Sequence, residues 1–189
     1  MSDIFSKKES VVKKHTEESI VKILHKHYNQ GYTYRINNAF IYGYDWECDF
    51  FCVNKEGYAY EFEVKISLAD FRSDFQKYKH LLFKKIDKKG VLIPNRFYYV
   101  VPDGMVAPAD IPKYAGLIYI VNTHAKVIKR APLLHKVKRD YRRILCDKFY
   151  ERYIQQRRDY AASIYNITLA KTWFENLKHN FNKHEIRAL

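Results

Sequence analysis

Only three cysteines occur, Cys48, Cys52 and Cys146, and no two of them form a Cys-x-x-Cys pair. Such a set argues against a zinc ribbon and against a secreted disulfide framework, and it fits a reducing cytoplasm. No apolar run approaches the roughly 20 residues that a membrane span requires. Residues 2–14 are polar and basic and carry no targeting signal, so the expectation is a cytoplasmic protein without a membrane partner. Neither an internal repeat nor low-complexity sequence is present. Histidines such as His25, His27, His124 and His135 follow no metal-ligand spacing and read as surface residues. Acidic residues are scarce: 21 Asp and Glu stand against 34 Lys and Arg, for a formal charge of +13. That excess favours a polyanionic partner, nucleic acid first, although basic charge also serves solubility.

What the chain does have is enough apolar material for one sizeable core, 47% of 189 residues, and little more than an appendage beyond it. Thr16 is placed to cap a helix over residues 16–28, with Glu17 and Glu18 in its first turn and Ile20, Ile23 and Leu24 inward. Residues 47–53 and 58–66 read as a hairpin around Asn54-Lys55-Glu56-Gly57, with Gly57 suited to a left-handed turn position. Ser67 is placed to cap a single helix whose apolar positions Leu68, Phe71, Phe75, Tyr78 and Leu82 recur at helical spacing. Strands are expected at 96–101 and 116–122, and a short edge strand at 126–130. Helices interleaved with strands make this an α/β chain, with a core over residues 1–131 and a basic helical C-terminal extension over 132–189. In the extension Val137, Tyr141, Ile144, Leu145 and Phe149 form an apolar stripe, and a last helical stretch covers 168–177. Lys136, Lys138, Arg139, Arg142 and Arg143 would lie within about two helical turns and track phosphates; the other path runs along Arg72, Lys77, Lys84 and Lys85.

The chemistry concentrates in the hairpin. Alternation along its second strand puts Glu61, Glu63, Lys65 and Ser67 on one face, and Tyr60, Phe62, Val64 and Ile66 on the other. A three-residue loop 55–57 sets Asn54 against Tyr58, and counting back sets Asp49 opposite Glu63. Two converging carboxylates suit a hard divalent cation and leave positions for a phosphate oxygen and a water. Lys65 stands beside them, where an ammonium offsets charge developing on phosphorus. The bland reading is a solvated charged face, since Glu-x-Lys triplets arise by chance in a chain with 29% charged residues. Cys48 and Cys52 share one side of a strand and read as core rather than as catalytic thiols.

Asp49, then Glu63-Val64-Lys65, then Ser67-Leu68-Ala69-Asp70-Phe71-Arg72-Ser73-Asp74-Phe75 resembles the MmcB-like branch of the PD-(D/E)XK nucleases. The stretches from Pro94 to Pro102 and from Tyr114 to Ile118 are similar to that branch's next two strands, and the likeness covers residues 46–132. It implies a restriction-endonuclease-like core with helices flanking a central mixed β-sheet. It also implies Mg2+ or Mn2+ as cofactor, DNA as substrate, and a role in DNA repair or mobile-element metabolism. By position, Asp49 and Glu63 hold the metal and Lys65 is the catalytic lysine. Asp70, Asp74 and Lys77 match charged positions of the next helix, Ser67 precedes it, and Glu17 and Glu18 are both candidates for a first-helix glutamate. The chain departs from the pattern where Glu47-Cys48 replaces a proline before Asp49. His80 stands where RecB-like relatives have the tyrosine of a Gln-x-x-x-Tyr motif. A non-catalytic nucleic-acid-binding module is the alternative, and RNA as ligand and a homodimer both stay open.

Overall fold

The computed structural model describes residues 15–43, 46–85 and 92–186, so the basic stretch at 2–14 lies outside the described residues. Helix α1 (Glu17–His27) starts at a reciprocal cap: Ser19 N–H donates to Thr16 Oγ1 at 3.2 Å, and Thr16 N–H donates to Ser19 Oγ at 3.0 Å. Strands β1 (Tyr32–Ala39), β2 (Cys48–Asn54) and β3 (Ala59–Val64) run antiparallel in sequence. Strand β4 (Arg96–Pro102) pairs parallel with β3, and β5 (Ala115–Val121) parallel with β4. Strand β6 (His124–Lys129) closes the far edge antiparallel, giving one mixed sheet in the order β1-β2-β3-β4-β5-β6. The chain is therefore an α/β protein built on a six-stranded mixed sheet.

The hairpin has the register that its loop length dictates. Gly57 takes φ +86° and its N–H donates to Asn54 O at 3.0 Å, so pairs run from Val53 with Ala59 to Phe50 with Phe62. Strand β1 is an element that the sequence pattern does not announce. It is a half-exposed edge strand, and Asn37 and Asn38, the latter at φ +47°, interrupt its apolar alternation. Strand β6 begins two residues before the expected position, because Asn122 at φ +54° and Thr123 make a tight turn that pairs Val121 with His124.

One sheet face packs on α1: Ile20, Leu24 and Tyr28 meet Phe50, Phe62, Val64, Val100 and Ile118. The other face is covered by two short helices, not the single helix expected over 68–82. Helix α2 (Leu68–Asp74) is capped by Ser67, whose Oγ accepts from Asp70 N–H at 3.2 Å. Helix α3 (Tyr78–Lys84) follows after Lys77 turns extended at ψ 140°. The break sits where Asp74 turns its carboxylate inward among Lys65, Lys77 and His80, so polar burial there overrides the helical apolar period.

The chain divides into two units, Met1–Asp140 and Tyr141–Leu189. Residues 132–140 thus go with the sheet unit, rather than with the extension to which their composition points. They are also not helical. Buried Asn95 explains this: its Nδ2 donates to His135 O at 3.0 Å and Val137 O at 2.9 Å, occupying carbonyls that a helix would need. Lys136, Lys138 and Arg139 therefore do not share a helix with Arg142 and Arg143, and the Lys138 ammonium lies 4.7 Å above the Tyr58 ring instead. The second unit carries helix α4 (Arg142–Ile186), which contains the expected stretch at 168–177. Among the described residues no helix is long and apolar enough to cross a membrane.

Candidate functional site

Continuing the β2/β3 register by one residue past Phe50 and Phe62 sets Asp49 across from Glu63. Asp49 Oδ2 accepts from Val64 N–H at 2.7 Å. Burial first, and the charge of Glu63 second, push the Asp49 carboxyl up to about 7; Val64 N–H and the Lys79 charge oppose the shift, and Glu17 adds to it. Among the described residues no lysine pairs with Asp49. Glu63 is the opposite case. Its Oε1 lies 3.0 Å from Lys65 Nζ and 2.7 Å from Lys77 Nζ, and its Oε2 accepts from Lys79 Nζ. Three ammonium groups thus converge on one buried carboxylate.

Lys65 is buried, and its Nζ also lies 3.2 Å from Asp70 Oδ1 and 3.3 Å from Asp74 Oδ1. Burial works against its charge, but Glu63 and Asp74 outweigh it, and the Lys65 pKa is raised. Asp74 is fully buried and divides its oxygens between two sets of partners. Oδ1 lies 2.7 Å from Lys77 Nζ, while Oδ2 accepts from His80 Nε2 at 2.8 Å and from Tyr99 OH at 2.9 Å. With the His80 Nε2 proton donated to Asp74, Nδ1 is left to accept from Tyr114 OH at 3.0 Å. Burial alone would raise the Asp74 carboxyl, yet His80 and the surrounding donors hold it well below the usual carboxylate range. Burial, then the Asp74 charge, raises both the Tyr99 and Tyr114 hydroxyl pKa values, which keeps them as donors. Beneath this layer Lys79 lies between Glu63 and Glu61, 3.2 Å from Glu61 Oε1, which also accepts from Trp46 Nε1 at 3.0 Å.

Of the candidates read from sequence, Glu63, Lys65, Asp70, Asp74 and Lys77 form one contiguous cluster, with Asp49 beside Glu63. Ser67 serves as the α2 cap. Glu17, exposed on α1, adds a small electrostatic push to Asp49, whereas Glu18 pairs with Lys22 at 2.6 Å on an exposed face. Arg72 is exposed on α2. Arg139, Arg142 and Arg143 lie in the segment where sheet unit gives way to α4. Sequence reasoning missed Lys79, His80, Trp46, Tyr99 and Tyr114. It placed Glu61 on the right face without a role. A continuous helix turns Lys79 and His80 toward solvent; a Lys-His pair within an otherwise apolar run was the available signal.

The donor set around Asp49 and Glu63 consists of hard carboxylate oxygens, which fit Mg2+ or Mn2+. Burial and the charge of Glu63 together leave the Asp49 carboxylate under-compensated, with Val64 N–H and the more distant Lys79 charge only partly offsetting them, and a bound cation would relieve this. Among the described residues no group of three or more His, Cys, Asp and Glu is arranged to hold a metal ion, so water and a backbone carbonyl would complete any coordination.

No family model matches the chain, and no curated protein matches it. Among solved structures it is similar to the SPO1766 protein of unknown function from Silicibacter pomeroyi. The TM-score is 0.56 at 18% identity, covering 77% of this chain and 90% of that one. At that identity the likeness is one of fold.

Proposed function

We propose that this chain is a metal-dependent deoxyribonuclease with a restriction-endonuclease-like core, akin to the PD-(D/E)XK nucleases. It would hydrolyse DNA phosphodiester bonds in the cytoplasm, in DNA repair or mobile-element metabolism. The observation that carries this reading is the adjacency of Asp49 and Glu63 across the hairpin with the Lys65 ammonium 3.0 Å from Glu63. Asp49 and Glu63 would hold Mg2+ or Mn2+, and the chemistry supplied there is polarisation of a phosphoryl oxygen and acidification of a water. Lys65 keeps its proton and offers positive charge beside the reacting phosphorus. Asp70 and Asp74 hold that ammonium in place, and Asp74 is itself fixed by His80 and Tyr99. Lys77, half exposed, reaches Glu63 from solvent and would meet an incoming phosphate.

A second reading, a nucleic-acid-binding module that cleaves nothing, is favoured by one observation: three lysines already neutralise Glu63. One assay separates the two. Plasmid, linear duplex, single-stranded DNA and RNA are incubated with Mg2+, Mn2+ or chelator, and products are followed on an end-labelled strand. Metal-dependent cleavage that chelator abolishes and Lys65→Ala removes supports the nuclease. Binding without cleavage under every metal condition supports the module and overturns the nuclease.

A further inference from the structure

Helices α2 and α3 bury Phe71, Leu82 and Phe83 as expected, but around the candidate site they also bury charged side chains beside exposed apolar ones. Lys65 is 5% exposed, while its neighbours Ile66 and Leu68 are 44% and 45% exposed. On α3 the residues turned inward include Lys79 at 1% and His80 at 0%, while Tyr78 and Leu81 stand 58% and 59% exposed. A surface helix ordinarily buries its apolar side chains and shows water its charges. One exposed leucine needs no explanation, but buried lysines interleaved with exposed large apolar residues are informative. The lysines face inward because Glu61, Glu63 and Asp74 hold them there. That accounts for the buried charges; the exposed apolar side chains remain open to solvent among the described residues.

Tyr78 directly follows Lys77, whose ammonium reaches Glu63 Oε1 at 2.7 Å, so the exposed ring begins one residue from the cluster. Leu81 lies one turn further along α3, and the exposed cations Arg72 and Lys84 flank the same two helices. A polyanion that also offers flat apolar faces matches this combination. Duplex DNA hides its base faces in the stack, whereas an unpaired strand presents them beside its phosphates. We propose that the exposed side chains of Tyr78 and Leu81 on α3, with Ile66 and Leu68 at the start of α2, bind the bases of an unpaired nucleic-acid strand. Its phosphates then run along Arg72, Lys77 and Lys84, so that the site acts on single strands, flaps or frayed ends. This rests on the nuclease reading of the Asp49–Glu63 site and names its substrate class.

The test uses the full chain in chelator, where binding is read without cleavage, by fluorescence anisotropy on a labelled single strand and a blunt duplex of the same sequence. The single strand binds more tightly than the duplex. Tyr78→Ala weakens single-strand binding by about 5- to 150-fold, the range for loss of one base stack, and changes duplex binding little. Tyr78→Phe retains the ring and the affinity. Tyr78→Ala leaves the dependence of affinity on salt unchanged, whereas Lys84→Ala lowers its slope by about 0.7. An RNA strand bound as well as DNA supports an unpaired-strand surface that ignores the sugar. Equal affinity for duplex and single strand, or a Tyr78→Ala protein with undiminished single-strand binding, overturns the proposal and leaves the patch to a protein partner. Single-strand preference without cleavage in Mg2+ or Mn2+ supports this surface while refuting the nuclease. Cleavage by Tyr78→Ala with wild-type strand affinity does the reverse.

Discussion

Replacing Asp49 by asparagine should stabilise the protein above neutral pH while abolishing its proposed metal site. The carboxyl ordinarily titrates at 3.8 and is pushed up to about 7 in the fold, by burial and by Glu63. Because the folded value is the higher one, the folded chain keeps a proton that the unfolded chain has lost between those two values. The stability from this group is fully present below about pH 4 and is lost as pH rises through 7. The interval of roughly three pH units, at about 1.36 kcal/mol each, sets an upper limit near 4 kcal/mol; partial solvent access reduces it to about 2–4 kcal/mol. An asparagine carries no charge at either pH, and its amide oxygen still accepts from Val64 N–H, which now donates to Asp49 Oδ2 at 2.7 Å. Urea denaturation in chelator should therefore show Asp49→Asn more stable than wild type by about 2–4 kcal/mol at pH 8, with the two converging toward pH 4. Groups that do not feel the Asp49 charge are shared and cancel in the difference, which leaves Asp49 and its coupled neighbour Glu63 as its source. A difference that does not change with pH, or a variant less stable at pH 8, would mean that the fold does not oppose ionisation of Asp49.

Lys65→Ala should lower turnover by about 100-fold or more with an unchanged far-ultraviolet circular dichroism spectrum, since the ammonium acts on charge that develops only in the transition state. Lys79→Met removes the cation between Glu61 and Glu63. It should cost about 3–5 kcal/mol by urea denaturation, with part recovered when Glu61→Gln is added; a neutral single variant would deny the pair its structural role. Neutralising Arg139, Arg142 and Arg143 together should flatten the slope of log affinity for duplex DNA against log salt by about 0.9 for each phosphate no longer neutralised, measured by anisotropy. A wild-type slope would place the duplex path elsewhere.

The hairpin was legible because a short loop with Gly57 at a left-handed position leaves one way to pair the strands, and that register carries Asp49 to Glu63. The shared face of Glu61, Glu63 and Lys65 followed from alternation alone. Its burial did not, since alternation fixes which side a residue takes and says nothing of what covers that side. The cover is α2 and α3, and their break at Lys77 depends on Asp74 reaching His80 and Tyr99, whose pairing spans 25 residues of chain. Local apolar spacing at Phe75, Tyr78 and Leu82 favours one unbroken helix and so turns Lys79 and His80 the wrong way. The segment 132–140 misleads for a related reason: its charge pattern suits a helix, but Asn95, some 40 positions earlier, takes its carbonyls.

Whether Asp49 and Glu63 form a divalent cation site is decided by isothermal titration calorimetry at pH 8 with Mg2+ and Mn2+. The proteins to titrate are wild type, Asp49→Asn and Glu63→Gln, each first shown to be folded. Wild type should bind the metal saturably, and both variants should lose that binding. In wild type it should also weaken at pH 5, where the Asp49 carboxyl, raised to about 7, is protonated. Absence of binding to wild type, or wild-type affinity in both variants, would overturn the assignment of the site.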